Sequence, residues 1–471
     1  MREATATSFY PDPLDVTHPI SFLHSPHSPS LLQLRLRQYR SSVHQKCVLA
    51  LVSQTWNTLA QEVLFEFVWI SRASQARTLA LTLLSQECDS RTVKGGPFIR
   101  RLHIETPMLE RCDPADLRTI LDYAPRLVVY SDYRSVRRNL YEEFSNPRSS
   151  PEQLFSVLAH PNNSLRRLSW TNYDVSFYLH TSPMLETTAM NLEYLELNFC
   201  SPHLHSMTRS MAPVTSSTFT LTLPALRSLK VTLDNATFAV LSTWSMPVLQ
   251  NLSVLSADFS YAGCGFSQFF IIHGPKLTQL ELGHSSSTIE EHYLTIPPYH
   301  NSPSPRTIPL DTWCPNLQEF ICSADAEWNW QNPDWIAPHI LLPSHPALKF
   351  IGIRDIDKRL LDDIALAPNT ALDDDTPFFM LLEQMGSILR REAFPSLLYI
   401  RDMSWESDVM RRSGDPSEPG TRIVKFWKKV LERCRSRGVW LEDYRGFNIT
   451  SRDLKKVEAR IWRRSISTSE T

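Results

Sequence analysis

The stretch Asn191-Leu192-Glu193-Tyr194-Leu195-Glu196-Leu197-Asn198-Phe199-Cys200 has a spacing of apolar residues that the rest of the chain repeats. Leu195 and Leu197 are two residues apart, so they point to the same side if the segment is a β-strand. Leu192 can join their layer from the preceding loop, which completes the pattern Leu-x-x-Leu-x-Leu. One such unit cannot bury this layer alone, whereas stacked copies of the unit can.

Seven further segments have a similar spacing, and they begin at Ile99, Leu165, Leu226, Leu249, Leu277, Leu317 and Leu348. In the later copies a proline precedes the first apolar residue by two positions, where it can end a helix ahead of the strand. These prolines are Pro224, Pro247, Pro275, Pro315, Pro346 and Pro395. Each unit is therefore predicted to contain a helix, a proline and a strand in that order.

The recurring spacing is that of a leucine-rich repeat. Successive prolines lie 23, 28, 40, 31 and 49 residues apart, whereas regular repeats of this type run about 20–29 residues. The predicted fold class is therefore α/β, an irregular leucine-rich-repeat solenoid (horseshoe) with insertions. A generic α/β domain with buried strands is the alternative.

Composition and charge exclude several classes of function. A hydrophobic content of 42% favours a folded chain, and a formal charge of −2, from 48 basic and 50 acidic residues, gives no reason to expect a nucleic-acid partner. No apolar run approaches the ~18 residues of a membrane span. Residues 1–13 also lack an apolar leader segment. We therefore expect a cytoplasmic and/or nuclear protein without a membrane partner.

No local motif indicates catalysis, a cofactor or a metal. The eight cysteines are scattered without a Cys-x-x-Cys pair, which predicts reduced core thiols. Phosphate-binding glycine loops, Gly-x-Ser-x-Gly and His-Glu-x-x-His are all absent from the sequence. We expect a binding protein with no cofactor, and an enzyme whose site is assembled from distant residues is the lesser alternative.

Residues 44–67 have the periodicity of a single amphipathic helix. Apolar residues recur there at intervals of three and four, at Leu49, Val52, Trp56, Leu59, Val63 and Phe67. Such a stripe of apolar side chains needs a partner surface.

The same segment resembles the second half of an F-box, through Leu51-Val52-Ser53, Trp56, Leu59-Ala60, Leu64-Phe65 and Val68. In that family the segment helps to dock a Skp-type adaptor of a cullin-based ubiquitin ligase, while the rest of the chain selects a target. The resemblance implies an adaptor-binding role for Leu49, Val52, Trp56, Leu59, Leu64 and Phe65. A partial F-box followed by irregular repeats is similar to the F-box/leucine-rich-repeat families of mushroom-forming fungi.

The usual opening of an F-box, Leu-Pro-x-Glu-Ile/Leu, is replaced here by His18-Pro19-Ile20-Ser21-Phe22-Leu23. Two interpretations follow from this departure. The segment is either a shortened F-box that binds the adaptor weakly, or a former F-box whose apolar stripe now caps the first repeat.

The sequence therefore predicts four parts, which are a disordered arm (1–43), an F-box-like helical segment (44–75), the repeats (76–447) and a tail (448–471). The arm is rich in Ser, Pro and His and has little apolar surface to bury. The expected function is that of an F-box-type receptor that links a protein target to a ubiquitin ligase. The alternative is a repeat scaffold that binds proteins without a ligase.

Residues that flank the middle apolar position of each strand point away from the leucine layer. In a solenoid they line the inner, concave face, where we predict contact with a protein target. The predicted residues are Arg167, Tyr194, Glu196, Lys230, Gln279, Glu281 and Glu319. As exposed positions, Glu196 and Lys230 are expected to change stability by only about 0.5 kcal/mol when replaced by Ala.

Overall fold

The structure is a computed structural model of the 471-residue chain. It describes residues 29–88, 93–107, 110–133, 135–136, 147–160, 165–172, 179, 182–199, 220–231, 235–255, 264–283, 310–324, 342, 344–366, 378–413 and 418–469. The chain divides into two compact units. The first comprises Met1–Asn251 with Asp258–Phe269, and the second comprises Leu252–Ala257 with Phe270–Thr471.

The first unit begins with two helices, α1 (Pro29–Ala50) and α2 (Gln54–Glu66), which are followed by strand β1 (Phe67–Ile70). The prediction of one continuous helix over 44–67 is therefore wrong. Ser53 separates the two helices because its extended backbone ends the first, and its hydroxyl caps the second by accepting a hydrogen bond from Trp56 N–H at 3.2 Å. The predicted disordered arm is also wrong for residues 29–43, which belong to α1, while residues 1–28 lie outside the described part.

The rest of the first unit alternates helices with short strands. In chain order the elements are α3 (Ala73–Cys88), β2 (Arg101–Ile104), α4 (Pro114–Asp122), β3 (Val129–Asp132), α5 (Pro151–Leu158), β4 (Arg167–Asn172), β5 (Tyr194–Phe199), β6 (Ser228–Val231) and α6 (Asn235–Ser242). Strand β7 (Asn251–Leu255) and helix α7 (Cys264–His273) each begin in the first unit and end in the second.

Strands β1 to β6 pair in parallel and in sequence order. Their register aligns the leucines of successive segments, so that Leu168 lies beside Leu195 and Leu195 beside Leu229. All three side chains are fully buried. The predicted apolar layer is therefore continuous across these strands.

Gly96 shows how closely the connections approach the neighbouring segment. A Cβ atom at this position would lie 2.2 Å from the carbonyl oxygen of Tyr123, at the end of α4. Only glycine lets the backbone come this close. The Gly95-Gly96 turn ahead of β2 is therefore required by packing.

The second unit continues the alternation of helices and strands. Its elements are β8 (Gln279–Gly283), α8 (Leu310–Trp313), β9 (Glu319–Ser323), β10 (Phe350–Arg354), α9 (Ile356–Leu366), α10 (Phe379–Ile388), β11 (Tyr399–Asp402), α11 (Trp405–Ser413), α12 (Glu418–Arg437), β12 (Trp440–Glu442) and α13 (Ser451–Ser469). Strands β8 to β12 also pair in parallel and in sequence order.

The buried layer of the second unit has the same construction. Ile351 lies beside Ile400 and Ile400 beside Leu441, and all three are buried. Across the described residues of each unit, the first and last strands are not paired with each other, so neither sheet closes on itself.

A helix ends shortly before each of the prolines Pro247, Pro275, Pro315 and Pro395, and a strand follows each of them. Ahead of Pro224 and Pro346, residues 200–219 and 325–341 lie outside the described part.

Helix α13 packs against the body of the second unit, contrary to the prediction of a separate tail from residue 448. Its apolar residues Val457 and Ile461 form a buried cluster with Val424 of α12.

Four of the six cysteines whose side chains the structure describes are core thiols. Cys112, Cys314, Cys322 and Cys434 are buried, and burial raises the pKa of each to about 12, so these thiols are neutral. The other two, Cys47 and Cys88, are exposed, so the prediction of a core position is wrong for them.

Replacing Leu195 by Ala removes a fully buried side chain from the centre of the leucine layer. The expected loss of unfolding free energy is about 2–5 kcal/mol. Met190→Ala is the matched control, because Met190 is exposed and lies just ahead of the same strand. Its cost should be within about 0.5 kcal/mol. Chemical denaturation of both variants measures the difference, and equal costs would contradict the observed layer.

Candidate protein-binding faces

Five large apolar residues at the end of α1, in the turn that follows it and on α2 are exposed. We call Leu49, Val52, Trp56, Leu59 and Val63 the apolar stripe. Trp56 is 48% exposed and Leu59 61% exposed, and the other three are exposed to a similar degree. A contiguous exposed patch of large apolar side chains marks an interaction surface in a folded protein.

The two other residues of the predicted adaptor site differ from the stripe. Leu64 and Phe65 are half-buried. The ring of Phe65 packs against Gly95, where a Cβ atom would lie 2.7 Å from it. Phe65 therefore stabilises the contact between α2 and the turn before β2.

Side chains from α1 hold the two helices against each other and against β1. The Tyr39 hydroxyl accepts a hydrogen bond from Trp69 N–H at 3.1 Å, and the Tyr39 and Phe67 rings meet edge to face at 5.5 Å. Lys46 Nζ donates to the carbonyl oxygen of Val63 at 3.1 Å. The helices that carry the stripe are thus fixed to each other and to β1.

The exposure of the stripe bears on the two interpretations of the F-box-like segment. A cap over the first repeat would bury Val52, Trp56 and Leu59 against the neighbouring strand, yet all three are exposed. Strand β1 instead packs under Tyr39 of α1. The stripe remains available to another molecule.

Five of the seven residues predicted to line a solvated concave face are buried, which makes the predicted exposure wrong for them. They are Tyr194, Glu196, Lys230, Gln279 and Glu281. Arg167 and Glu319 are half-exposed. A buried side chain offers almost no area to a partner, so these five positions need another explanation.

Glu196 is the centre of a buried polar network in the first unit. It is 1% exposed, and its carboxylate accepts hydrogen bonds from the hydroxyls of Ser169 at 2.8 Å, Tyr194 at 3.1 Å and Tyr133 at 3.3 Å. Lys230 Nζ lies 2.9 Å from its other oxygen. Ser169 and Lys230 are the register partners of Glu196 on the two neighbouring strands. Side chains from three adjacent strands therefore meet at one carboxylate.

Tyr194 and Arg167 extend this network toward β4. The Arg167 guanidinium lies over the Tyr194 ring at 4.1 Å from its centroid. Burial, together with the neighbouring Glu196 carboxylate, raises the pKa of Tyr194 well above its usual value. The hydroxyl therefore stays protonated and donates to Glu196.

Glu281 repeats the arrangement in the second unit. It occupies the same position in its strand as Glu196, accepts a hydrogen bond from the Ser253 hydroxyl at 2.6 Å and pairs with the Arg354 guanidinium. Both carboxylates thus combine a serine hydroxyl from an earlier strand with a basic residue from a later strand. Their geometry explains burial of charge at these outward positions without a ligand.

The outward face becomes exposed at the end of the second unit. Phe350, Tyr399 and Trp440 are register neighbours on β10, β11 and β12, opposite the buried layer, and we call them the aromatic ladder. Phe350 is half-buried, Tyr399 is 38% exposed and Trp440 is 57% exposed. Exposed Tyr and Trp are enriched at the centres of protein interfaces.

Next to the ladder, a second row of outward residues consists of Gly352, Arg401 and Glu442 on the same three strands. Arg401 contacts both rows. Its guanidinium lies 5.0 Å from the centroid of the Phe350 ring and 2.6 Å from the Glu442 carboxylate. Gly446 borders it on another side, since a Cβ there would lie 2.8 Å from Nη2 of Arg401. The charge of Arg401 is therefore paired within the protein.

The sequence pattern missed the ladder because the unit after Pro395 is incomplete. Leu397 and Ile400 fit the apolar spacing and are buried, but the third position is Asp402. This aspartate is buried and accepts hydrogen bonds from the Ser407 hydroxyl at 2.7 Å and Arg411 at 3.1 Å. A signal was nevertheless present, because Pro395 had the same offset as the other prolines.

Neither a protein-family model nor a curated protein sequence matches this chain. None of the helices in the described ranges combines the length and the apolar character needed to cross a membrane. The described residues also contain no cluster of three or more His, Cys, Asp or Glu side chains that could hold a metal ion.

Replacing Lys230 by Met leaves the Glu196 carboxylate buried without its positive partner. The expected cost is about 3–5 kcal/mol of unfolding free energy, as for other buried ion pairs that lose one member. Lys94→Met is the control, since Lys94 pairs with Glu87 at 2.7 Å on the surface, where a pair contributes about 1 kcal/mol or less. Denaturant titration compares the two, and a cost near 0.5 kcal/mol for Lys230→Met would restore the original expectation of exposure.

Replacing Gln279, on the same face, is expected to stabilise the protein rather than destabilise it. Its side chain is buried, and neither its amide nitrogen nor its amide oxygen finds a hydrogen-bond partner in the described part of the chain. A buried polar group without a partner costs about 1–3 kcal/mol. Gln279→Met, which keeps the volume similar, should therefore raise the unfolding free energy by about 1 kcal/mol. A loss of stability in the same titration would contradict the unpaired state of this amide.

Proposed function

We propose that the protein is an F-box-type substrate-recognition protein. In this proposal the apolar stripe docks a Skp-type adaptor of a cullin-based ubiquitin ligase, and the α/β units form a leucine-rich-repeat solenoid that binds a protein target. The observation that carries the proposal is the exposure of Val52, Trp56 and Leu59, which belong to the residues that resemble an F-box.

The construction of α1 and α2 supports adaptor docking. Contacts through Tyr39 and Lys46 fix the two helices to each other and to β1 while the side chains of the stripe stay exposed. A partner can therefore bury the stripe without rearranging the helices, and the apolar area gained drives association. The resemblance indicates which partner would bind. The exposure of the stripe makes its side chains accessible to that partner.

The repeat pattern supports target binding by the strand face. The buried networks around Glu196 and Glu281 hold neighbouring strands in register, and Arg167, Glu319 and the aromatic ladder provide the accessible part of that face. Mixed charge and aromatic residues suit a protein target. The protein would act in the cytoplasm or the nucleus, where such ligases assemble.

The alternative is a repeat protein that binds partners without a ligase. It is favoured by the half-buried state of Leu64 and Phe65, since Phe65 packs on Gly95 within the first unit. In that case these two positions serve folding, and the stripe binds a protein other than the adaptor.

Co-purification with a Skp-type adaptor separates the two functions. The double variant Trp56→Ala with Leu59→Ala should lower adaptor recovery at least about tenfold, because exposed aromatic and apolar anchors dominate such interfaces. Both residues are exposed, so the melting temperature should stay close to that of the unmodified protein. Leu64 is left unchanged because its half-buried side chain would confound the result.

Leu81→Ala with Leu84→Ala is the matched control, since both leucines are exposed on α3 outside the stripe. This control should keep adaptor recovery unchanged. If the unmodified protein recovers no adaptor, or if both double variants reduce recovery equally, the scaffold function is the correct one.

A further inference from the structure

We propose that the aromatic ladder binds a proline-rich segment of a partner protein in the polyproline II conformation. The inference deepens the target-binding half of the proposed function and rests on the use of the strand face as a binding surface. It does not depend on the adaptor. All of the residues involved belong to the second unit.

The spacing of the ladder matches one turn of polyproline II. Neighbouring strands lie about 4.8 Å apart, so the ladder from β10 to β12 spans about 10 Å. A polyproline II helix rises about 3.1 Å per residue and turns every three residues, which gives about 9 Å per turn. A segment that crosses the strands can therefore place prolines at positions i and i+3 at the two ends of the ladder, Phe350 and Trp440, with the exposed Tyr399 ring between them.

The polar chemistry of the ladder favours a partner that accepts hydrogen bonds. The Tyr399 hydroxyl and the Trp440 indole N–H can each donate, and neither has a partner in the described part of the chain. The only carboxylate in the neighbouring row, that of Glu442, is paired with Arg401. Donors thus exceed acceptors, and a proline-rich segment offers carbonyl oxygens with few N–H groups.

The charge of the face argues against a phosphorylated or nucleic-acid partner. Arg401 is the basic residue of the two rows, and it is enclosed by Phe350, Glu442 and Gly446. Its charge is satisfied within the protein, so little attraction remains for an anionic ligand. Aromatic-lined, nearly neutral grooves are the surfaces that proline-rich segments recognise.

The edge of β12 is not open to an added strand, which excludes strand pairing as the mode of binding. The carbonyl oxygen of Leu441 accepts a hydrogen bond from Ile449 N–H at 2.7 Å, and Glu442 forms an antiparallel bridge with Asn448. The chain itself therefore occupies this edge. A partner must lie on the face, where the rings are.

Gly352 marks a position of this face that the protein fills itself. It lies beside Arg401 in register, and a Cβ atom there would lie 2.2 Å from the sulfur of Met403. The buried Met403 side chain therefore occupies the space beside Gly352, and the accessible part of the face lies at Tyr399 and Trp440.

Fluorescence anisotropy of labelled decaproline added to the full-length protein tests the inference. The unmodified protein should bind decaproline and should not bind a Gly-Ser peptide of the same length. Trp440→Ala should weaken binding at least about tenfold, as expected for an interface anchor. Tyr399→Phe, which keeps the ring and removes the donor, should weaken it less.

Trp462→Ala is the matched control, because Trp462 is 66% exposed on α13 in the same unit and lies outside the ladder. Its decaproline affinity should change less than twofold, and thermal unfolding should show that both tryptophan variants remain folded. No binding of decaproline, equal binding of the Gly-Ser peptide, or equal losses in the two tryptophan variants would each overturn the inference. Because the assay contains no adaptor, these outcomes are independent of the co-purification result.

Discussion

A buried carboxylate on the polar side of a parallel sheet must obtain its charge balance from the neighbouring strands. Glu196 and Glu281 meet this requirement in the same way, with a serine hydroxyl from an earlier strand and a basic side chain from a later one. Displacing one strand by a single residue would separate these groups and leave the charge unpaired. The register of the apolar layer is thus enforced from both sides of the sheet.

This constraint divides the outward face by function. Where Glu196 and Glu281 are buried, polar side chains are fully used in joining strands and offer little to a partner. At β11 and β12 the row of Glu281 carries Arg401 and Glu442, which pair with each other, and the row two residues earlier carries Tyr399 and Trp440, whose rings are exposed. Paired charges thus join the strands in one row of this face, and the exposed side chains of β11 and β12 lie in the adjacent row.

The sequence alone predicts the apolar layer of the strands correctly. It does not predict which side chains of the outward face are exposed. Local spacing around Leu195 predicts which side of a strand is apolar, because alternation is a property of the strand itself. Burial of Glu196 depends on residues from Tyr133 to Lys230, which are distant in the chain, and no local pattern contains that information. The break at Ser53 was missed for a different reason, since apolar periodicity continues across the cap.

The stripe on α1 and α2 was predicted from the spacing of its residues, while its availability required the structure. An amphipathic helix normally buries its apolar side against its own protein. Here Tyr39 provides an internal contact with Phe67 of β1, and Trp56 and Leu59 remain exposed. Periodicity identifies an apolar face, and only the tertiary contacts show what covers it.

Parallel pairing also has a kinetic consequence for the first unit. Every strand must close a loop of several tens of residues before it pairs, and the entropy of closure rises with loop length. Strands β4 and β5 gain the most register contacts for their closure, six residue pairs across a separation of 27 residues between Ser169 and Glu196. This pair is therefore the favoured nucleus, from which folding would spread strand by strand, in an order that pulse-labelled hydrogen exchange at Leu168 and Leu195 would reveal.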